Sequence, residues 1–111
     1  MKTIDSIQTF ESIVTTHNVV VVIFSSDVCP DCMYLETFIG RIEEKYPSLV
    51  FGLIKRDVLP EVFTHYNIYG VPSLYVYKNG EIIGQYVDKK RKTFEQVDRF
   101  LSQTLSLKGE R

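Results

Sequence analysis

The sequence predicts an α/β fold in which a central mixed sheet, parallel strands plus an antiparallel C-terminal hairpin, carries helices on both faces. Three observations point there. The run Val19 to Phe24 is continuously apolar and almost wholly β-branched, the pattern of a central strand covered on both sides. Pro30, a few residues later, suits the first position of a helix, where its missing N–H costs nothing. Asn79-Gly80, between two strand-like runs, favours the positive φ values of a two-residue hairpin turn.

The elements follow in order. Thr3-Ile4 reads as a short edge strand. Asp5 or Ser6 can cap a first helix whose apolar residues Ile7, Phe10, Ile13 and Val14 share one face, and His17 and Asn18 end it. The central strand then delivers the chain to Val28-Cys29-Pro30-Asp31-Cys32-Met33. Cys29 is expected at the N-cap of a helix running from about Pro30 to Tyr46, with Leu35, Phe38, Ile39, Ile42 and Tyr46 as its buried stripe and Pro47 as its stop. Leu49 to Ile54 reads as a parallel strand reached by a right-handed crossover. Asp57 to Tyr66 is expected as a short helix with Pro60 in its first turn, and Asn67 as its left-handed C-terminal residue. Ser73 to Tyr77 and Glu81 to Val87 form the hairpin. Thr93 and Gln96 make a capping box for a closing helix with Phe94, Val97, Leu101 and Leu105 on its apolar face.

With 111 residues, 44% hydrophobic and 24% charged, the chain reads as a single folded domain over 1–111. A net charge of −1 gives no reason to expect nucleic acid or an anionic membrane as partner. Lys89-Lys90-Arg91-Lys92 reads as a solvated loop before a helix, or as a docking patch for an acidic partner. The longest apolar run is too short to span a bilayer, and the N-terminus lacks the pattern of a signal peptide. A cytoplasmic location and a monomer are the expectations.

Cys29 and Cys32 are the two cysteines of the chain. At this spacing they read as a redox dithiol, as half of a zinc site or as unrelated buried thiols. Zinc needs four ligands, and His17 and His65 lie far from the pair at no finger-like spacing, so no metal is expected. Under the redox reading, Cys29 at the N-cap faces the positive end of the helix, which favours its thiolate and makes it the nucleophile. Cys32, one turn deeper on the same face, is placed to resolve a mixed disulfide on Cys29. Pro30 and Asp31 between them tune the redox poise: a carboxylate near both sulfurs disfavours thiolate, unless Asp31 is a solvated residue of the first turn.

Three stretches together resemble the thioredoxin family over nearly the whole chain: Cys29-Pro30-Asp31-Cys32 after the apolar strand, Gly70-Val71-Pro72-Ser73, and Lys78-Asn79-Gly80-Glu81. The resemblance implies a thioredoxin fold and a thiol–disulfide oxidoreductase that reduces protein disulfides. It implies that Pro72 is cis beside the cysteines, that the Val71 backbone pairs with an extended client segment, and that Val28, Val71 and Pro72 form an apolar contact surface. Disulfide-containing clients would be the partners, with thioredoxin reductase or a low-molecular-weight thiol as electron source and no bound cofactor beyond the Cys29–Cys32 disulfide. The chain also departs from the family. Val28 stands for a Trp, Pro30-Asp31 for Gly-Pro, and Asp88 for a rim glycine. Ile23 stands for the buried Asp that assists the second thiol, and Leu53 for the lysine paired with it. Asp31 or Glu36 is the nearest acid to take that Asp's part. An adaptor using the same groove without turnover, or a redox sensor, is the alternative function.

Overall fold

The computed structural model describes residues 1–16, 18–88 and 90–107. The elements are β1 (Lys2–Ile4), α1 (Ile7–Val14), β2 (Val20–Ser25), α2 (Pro30–Glu36), α3 (Ile39–Lys45), β3 (Val50–Lys55), α4 (Pro60–His65), β4 (Ser73–Lys78), β5 (Glu81–Val87) and α5 (Phe94–Leu107). The sheet order is β1-β3-β2-β4-β5, with β1, β3 and β2 parallel and β4 and β5 antiparallel to their neighbours.

Alternation along the central strand divides the core in two. Val20, Val22 and Phe24 point to the layer of α1 and α4, where they meet Phe10, Ile13 and Phe63. Val21 and Ile23 point the other way, to Leu35, Ile42, Val97 and Leu101 of α2, α3 and α5 and to Phe38 between α2 and α3. All six residues of β2 are buried, as a strand covered on both faces requires. Phe24 is held edge-on by Phe63 and Tyr75, with ring centroids 5.3 and 5.2 Å away.

Local signals act as expected at several boundaries. Ser6 caps α1, its Oγ accepting the Thr9 N–H at 3.0 Å. Asn67 adopts φ 59°, and Asn79 and Gly80 adopt φ 54° and 81° in the hairpin turn. The Gly80 N–H donates to the Val14 carbonyl at 2.8 Å, docking the hairpin on the end of α1. Thr93 and Gln96 exchange both capping-box hydrogen bonds, at 2.9 and 3.2 Å. His17, expected to end α1, lies outside the described residues.

Two expectations are corrected. The helix predicted over 30–46 is two helices, broken at Thr37 and Phe38. The Thr37 hydroxyl donates to the Tyr34 carbonyl at 2.6 Å, and the Thr37 and Phe38 N–H groups bond three residues back. This tightened turn divides the helix while Phe38, Ile39 and Ile42 stay in the core. The short helix begins at Pro60 rather than Asp57, because Val58 and Leu59 both donate to the Lys55 carbonyl in a preceding turn.

Candidate active site

The end of β2 and the start of α2 set the position of the cysteines. Ser26 and Asp27, between them, are tied to Asp57: its carboxylate accepts the Asp27 N–H at 2.6 Å and the Ser26 hydroxyl at 3.1 Å. Cys29 is the N-cap of α2 and Pro30 its first residue. The Cys29 Sγ accepts the Cys32 N–H at 3.2 Å, so sulfur satisfies a helix N–H that would otherwise lack a partner. The two cysteines are free thiols, Cys29 partly exposed and Cys32 buried.

The loop before β4 closes the other side. The Val71–Pro72 peptide is cis, and the Val71 carbonyl lies 3.8 Å from the Cys29 Sγ, as acceptor for its S–H. Pro72 is buried and Val71 partly so. The Ser73 hydroxyl donates to the Gly70 carbonyl, fixing this turn from within. Three large apolar side chains on the loops and helix that carry these residues are exposed: Val28 by 81%, Tyr69 by 76% and Met33 by 57%. Of the residues named from the sequence, Val28 is exposed beside Cys29 in the chain, the Val71 carbonyl reaches the Cys29 sulfur, and Pro72 is buried behind it.

Cys32 is in a different environment. Its side chain is inaccessible to solvent. Burial pushes its pKa up to about 11, helped by a hydrogen bond to Cys29; the Ser25 hydroxyl and the Ser26 backbone act in the opposite sense. At pH 7 such a thiol is ionised in about one molecule in 10⁴. Near pH 7 a reaction through the Cys32 sulfur is therefore favoured by a nearby group that takes its proton.

This arrangement matches a known family. Residues 2–102 fit the thioredoxin family model. The chain belongs to the thioredoxin family. It is 31% identical to thioredoxin H5 of Oryza sativa over 96 residues, covering 82% of this chain and 70% of that protein. Thioredoxin 1 of Plasmodium falciparum is 30% identical over 83 residues, covering 75% of this chain and 80% of the relative. The solved structure of Plasmodium falciparum thioredoxin superposes with a TM-score of 0.79 at 26% identity, over 96% of this chain and 98% of that one. Trypanosoma brucei brucei thioredoxin shares the fold with a TM-score of 0.83 at 16% identity, over 94% and 89%. This thioredoxin-family chain is a protein disulfide oxidoreductase by that membership.

Where the chain departs from the family, the structure supplies partners. Ile23 and Leu53 face each other in the β2–β3 register, so two apolar residues stand together where the family has an acid and a lysine. Two residues further along the same strands, Ser25 is paired with Lys55. The Ser25 hydroxyl donates to Glu36 at 2.7 Å, and Lys55 bridges Glu36 at 3.2 Å and Asp27. Asp31 is not simply solvated: Arg91 Nε lies 3.1 Å from its carboxylate and the Arg91 guanidinium 4.5 Å from the Tyr34 ring centroid. Arg91 therefore offsets the charge that Asp31 places near the thiols.

The basic run is also corrected. Lys92 is fully buried rather than solvated. Its ammonium donates to the Asp88 and Lys90 carbonyls and the Asp88 carboxylate at 3.0 to 3.2 Å, above the Tyr86 ring. Burial raises the Asp88 pKa, but the Lys90 N–H and Lys92 outweigh it and hold the carboxyl below its usual range. Asp88 thus folds the rim loop around a lysine from the same run; Lys89 lies outside the described residues. Ser25, Lys55 and Arg91 escape sequence reading, although Ser25 and Lys55 sit one strand period beyond Ile23 and Leu53. Among the described residues, no three His, Cys, Asp or Glu side chains group as metal ligands. No helix among them is long and apolar enough to cross a membrane.

Proposed function

We propose that the protein, acting as a single-domain monomer in the cytoplasm, reduces disulfides of client proteins by cycling Cys29 and Cys32 between dithiol and disulfide. One observation carries the reading. The partly exposed Cys29 caps the N-terminus of α2, its sulfur 3.2 Å from the Cys32 nitrogen and 3.8 Å from the Val71 carbonyl, next to the exposed Val28.

Cys29 thiolate attacks one client sulfur, forming a mixed disulfide and releasing the other as a thiolate that takes a proton. Cys32 then attacks the Cys29 sulfur, and the second client thiolate leaves. The client disulfide gains two electrons, and the dithiol becomes the Cys29–Cys32 disulfide. Val71 offers its backbone to an extended client segment, as in strand addition, with Val28 and Pro72 against its side chains. Pro30 and Asp31 set the redox poise, Asp31 with its charge shared by Arg91. Electrons return from thioredoxin reductase or a low-molecular-weight thiol, with no metal or bound organic cofactor.

The test is insulin reduction coupled to thioredoxin reductase or to glutathione, together with trapping by Cys32→Ser. The reading requires turnover with one electron source and a stable mixed disulfide between insulin and the variant. Absence of trapping, with the wild type fully reduced at the start, overturns it. The apolar Ile23–Leu53 pair supports a second reading, an adaptor that binds a partner in the same groove. In that case a Cys29→Ala, Cys32→Ala double variant retains its partner.

A further inference from the structure

Resolution by Cys32 needs a proton acceptor, and position 23, where the family holds an acid, is isoleucine. The register of β2 and β3 indicates where polar groups have moved. Ile23 and Ser25 point to the same side of the sheet, as do Leu53 and Lys55, because side chains alternate along a strand. That side is covered by α2, which carries Cys32 and, one turn on, Glu36. The polar site thus stands one strand period nearer the C-terminal end of the sheet.

We propose that Cys32 gives up its proton through the Ser25 hydroxyl to the Glu36 carboxylate, with Lys55 holding Glu36 in place. The inference rests on Cys32 being the resolving thiol. The Ser25 side chain is fully buried on the side of the sheet that α2 covers, and its hydroxyl donates to Glu36 Oε2 at 2.7 Å; the same hydroxyl acts to lower the pKa of the Cys32 thiol. Lys55 Nζ is 3.2 Å from Glu36 Oε1, and the Glu36 side chain keeps 26% of its surface open to water. The inner end of this chain is dry and its outer end is wet, as a route for a proton to solvent requires.

The step balances. The S–H bond of Cys32 and the O–H bond of Ser25 break as a new O–H forms on Ser25 and another on Glu36. The re-formed Ser25 hydroxyl then donates to the thiolate it has helped to make. Cys32 thiolate attacks the Cys29 Sγ of the mixed disulfide, and the electron pair of the broken S–S bond leaves with the client thiolate, which is protonated from solvent. Glu36 returns its proton to solvent. Charge balances as well: the net charge of −1 on Asp27, Lys55 and Glu36 moves to the Cys32 sulfur, leaving an intact Asp27–Lys55 pair. Asp31, on the outer face of α2, is paired with Arg91 and takes no part in this chain.

The test follows both steps in one reaction. Reduced protein is mixed with dithiodipyridine, and release of the first and second thiopyridone is timed by stopped-flow absorbance. The first release reports attack by Cys29 and the second reports resolution by Cys32, so their ratio isolates the step assigned here. In Glu36→Gln the ratio should fall about 100-fold at pH 7. The defect should shrink below about threefold near pH 10, where direct ionisation of Cys32 becomes competitive. The titratable groups facing this route are Cys29, Lys55 and, through Lys55, Asp27. Ser25→Ala should give the same pattern and serves alone if the first variant does not fold. A ratio within about tenfold of wild type at pH 7, or a defect undiminished at pH 10, overturns the route, since a purely structural role carries no such pH dependence. A wild type that shows no second release instead overturns the assignment of Cys32.

Discussion

Removing Cys29 leaves Cys32 as the sole thiol, and its chemistry in that variant measures how strongly the fold suppresses it. The rise of its pKa from 9.0 to about 11 biases the group toward the neutral thiol by about 3 kcal/mol. Burial is the first cause and persists in Cys29→Ser. At pH 8 the thiolate fraction is then about 10⁻³, against about 10⁻¹ for an ordinary thiol, a difference of about 100-fold. Alkylation of folded Cys29→Ser by iodoacetamide, followed by mass spectrometry from pH 7 to 11.5, reads this fraction. The rate should climb about tenfold per pH unit up to about pH 10 and reach half its maximum well above pH 9. Half-maximal alkylation at or below pH 9 refutes the reasoning. Labelling is cleaner here than alkaline unfolding. A raised thiol pKa contributes stability that is full below the unfolded value and lost as pH rises through the folded one. Tyr66, Tyr75, Tyr77 and Tyr86, raised chiefly by burial, contribute in the same direction.

Two further predictions concern packing and charge away from the thiols. A Cβ on Gly84 would meet Thr104 Cγ2 at 2.6 Å and Oγ1 at 2.8 Å, so Gly84→Ala should destabilise by about 1–3 kcal/mol in urea unfolding. Thr104→Ala added to it should recover about 1 kcal/mol, and simple additivity of the two losses contradicts the close approach. Asp98 is held below its usual range by Lys45 and then by the Tyr46 hydroxyl, each at 2.6 Å. Its contribution is therefore present above the unfolded pKa and lost as pH falls through the folded one. With Lys45 half-exposed, Asp98→Asn should cost about 1 kcal/mol at pH 7 and nothing once the carboxyl is protonated, near pH 2. A cost that does not diminish in acid contradicts the ion-pair account.

What was legible in the sequence is what short-range physics decides. The β-branched run to Phe24 specifies a strand covered on both faces. Pro30 fixes the start of α2 and so the N-cap position of Cys29. Asn79-Gly80 and the Thr93/Gln96 box each act within four residues. The break at Thr37 and Phe38 was not legible, because a single threonine hydroxyl competing for one carbonyl decides it within an otherwise continuous apolar stripe. Pairings across the fold were also hidden. Arg91 meets Asp31 sixty residues away, Lys92 folds back under its own loop, and Ser25 with Lys55 needs the strand register before it can be seen beside Glu36. Glu36 itself was within reach of sequence, as the nearest acid on α2 besides Asp31. Their partners needed the structure, which binds Asp31 to Arg91 and Glu36 to Ser25.

The division of labour between the two sulfurs is the central claim, and the stoichiometry of reaction with excess dithiodipyridine at pH 7 tests it most directly. Reduced wild type should release two thiopyridones and end as an unlabelled intramolecular disulfide. Cys32→Ser should release one and retain a pyridyl adduct on Cys29 by mass spectrometry, while Cys29→Ser should release none on the same timescale. Equal reactivity of the two single variants, or a wild type that keeps the adduct instead of closing its disulfide, contradicts the account.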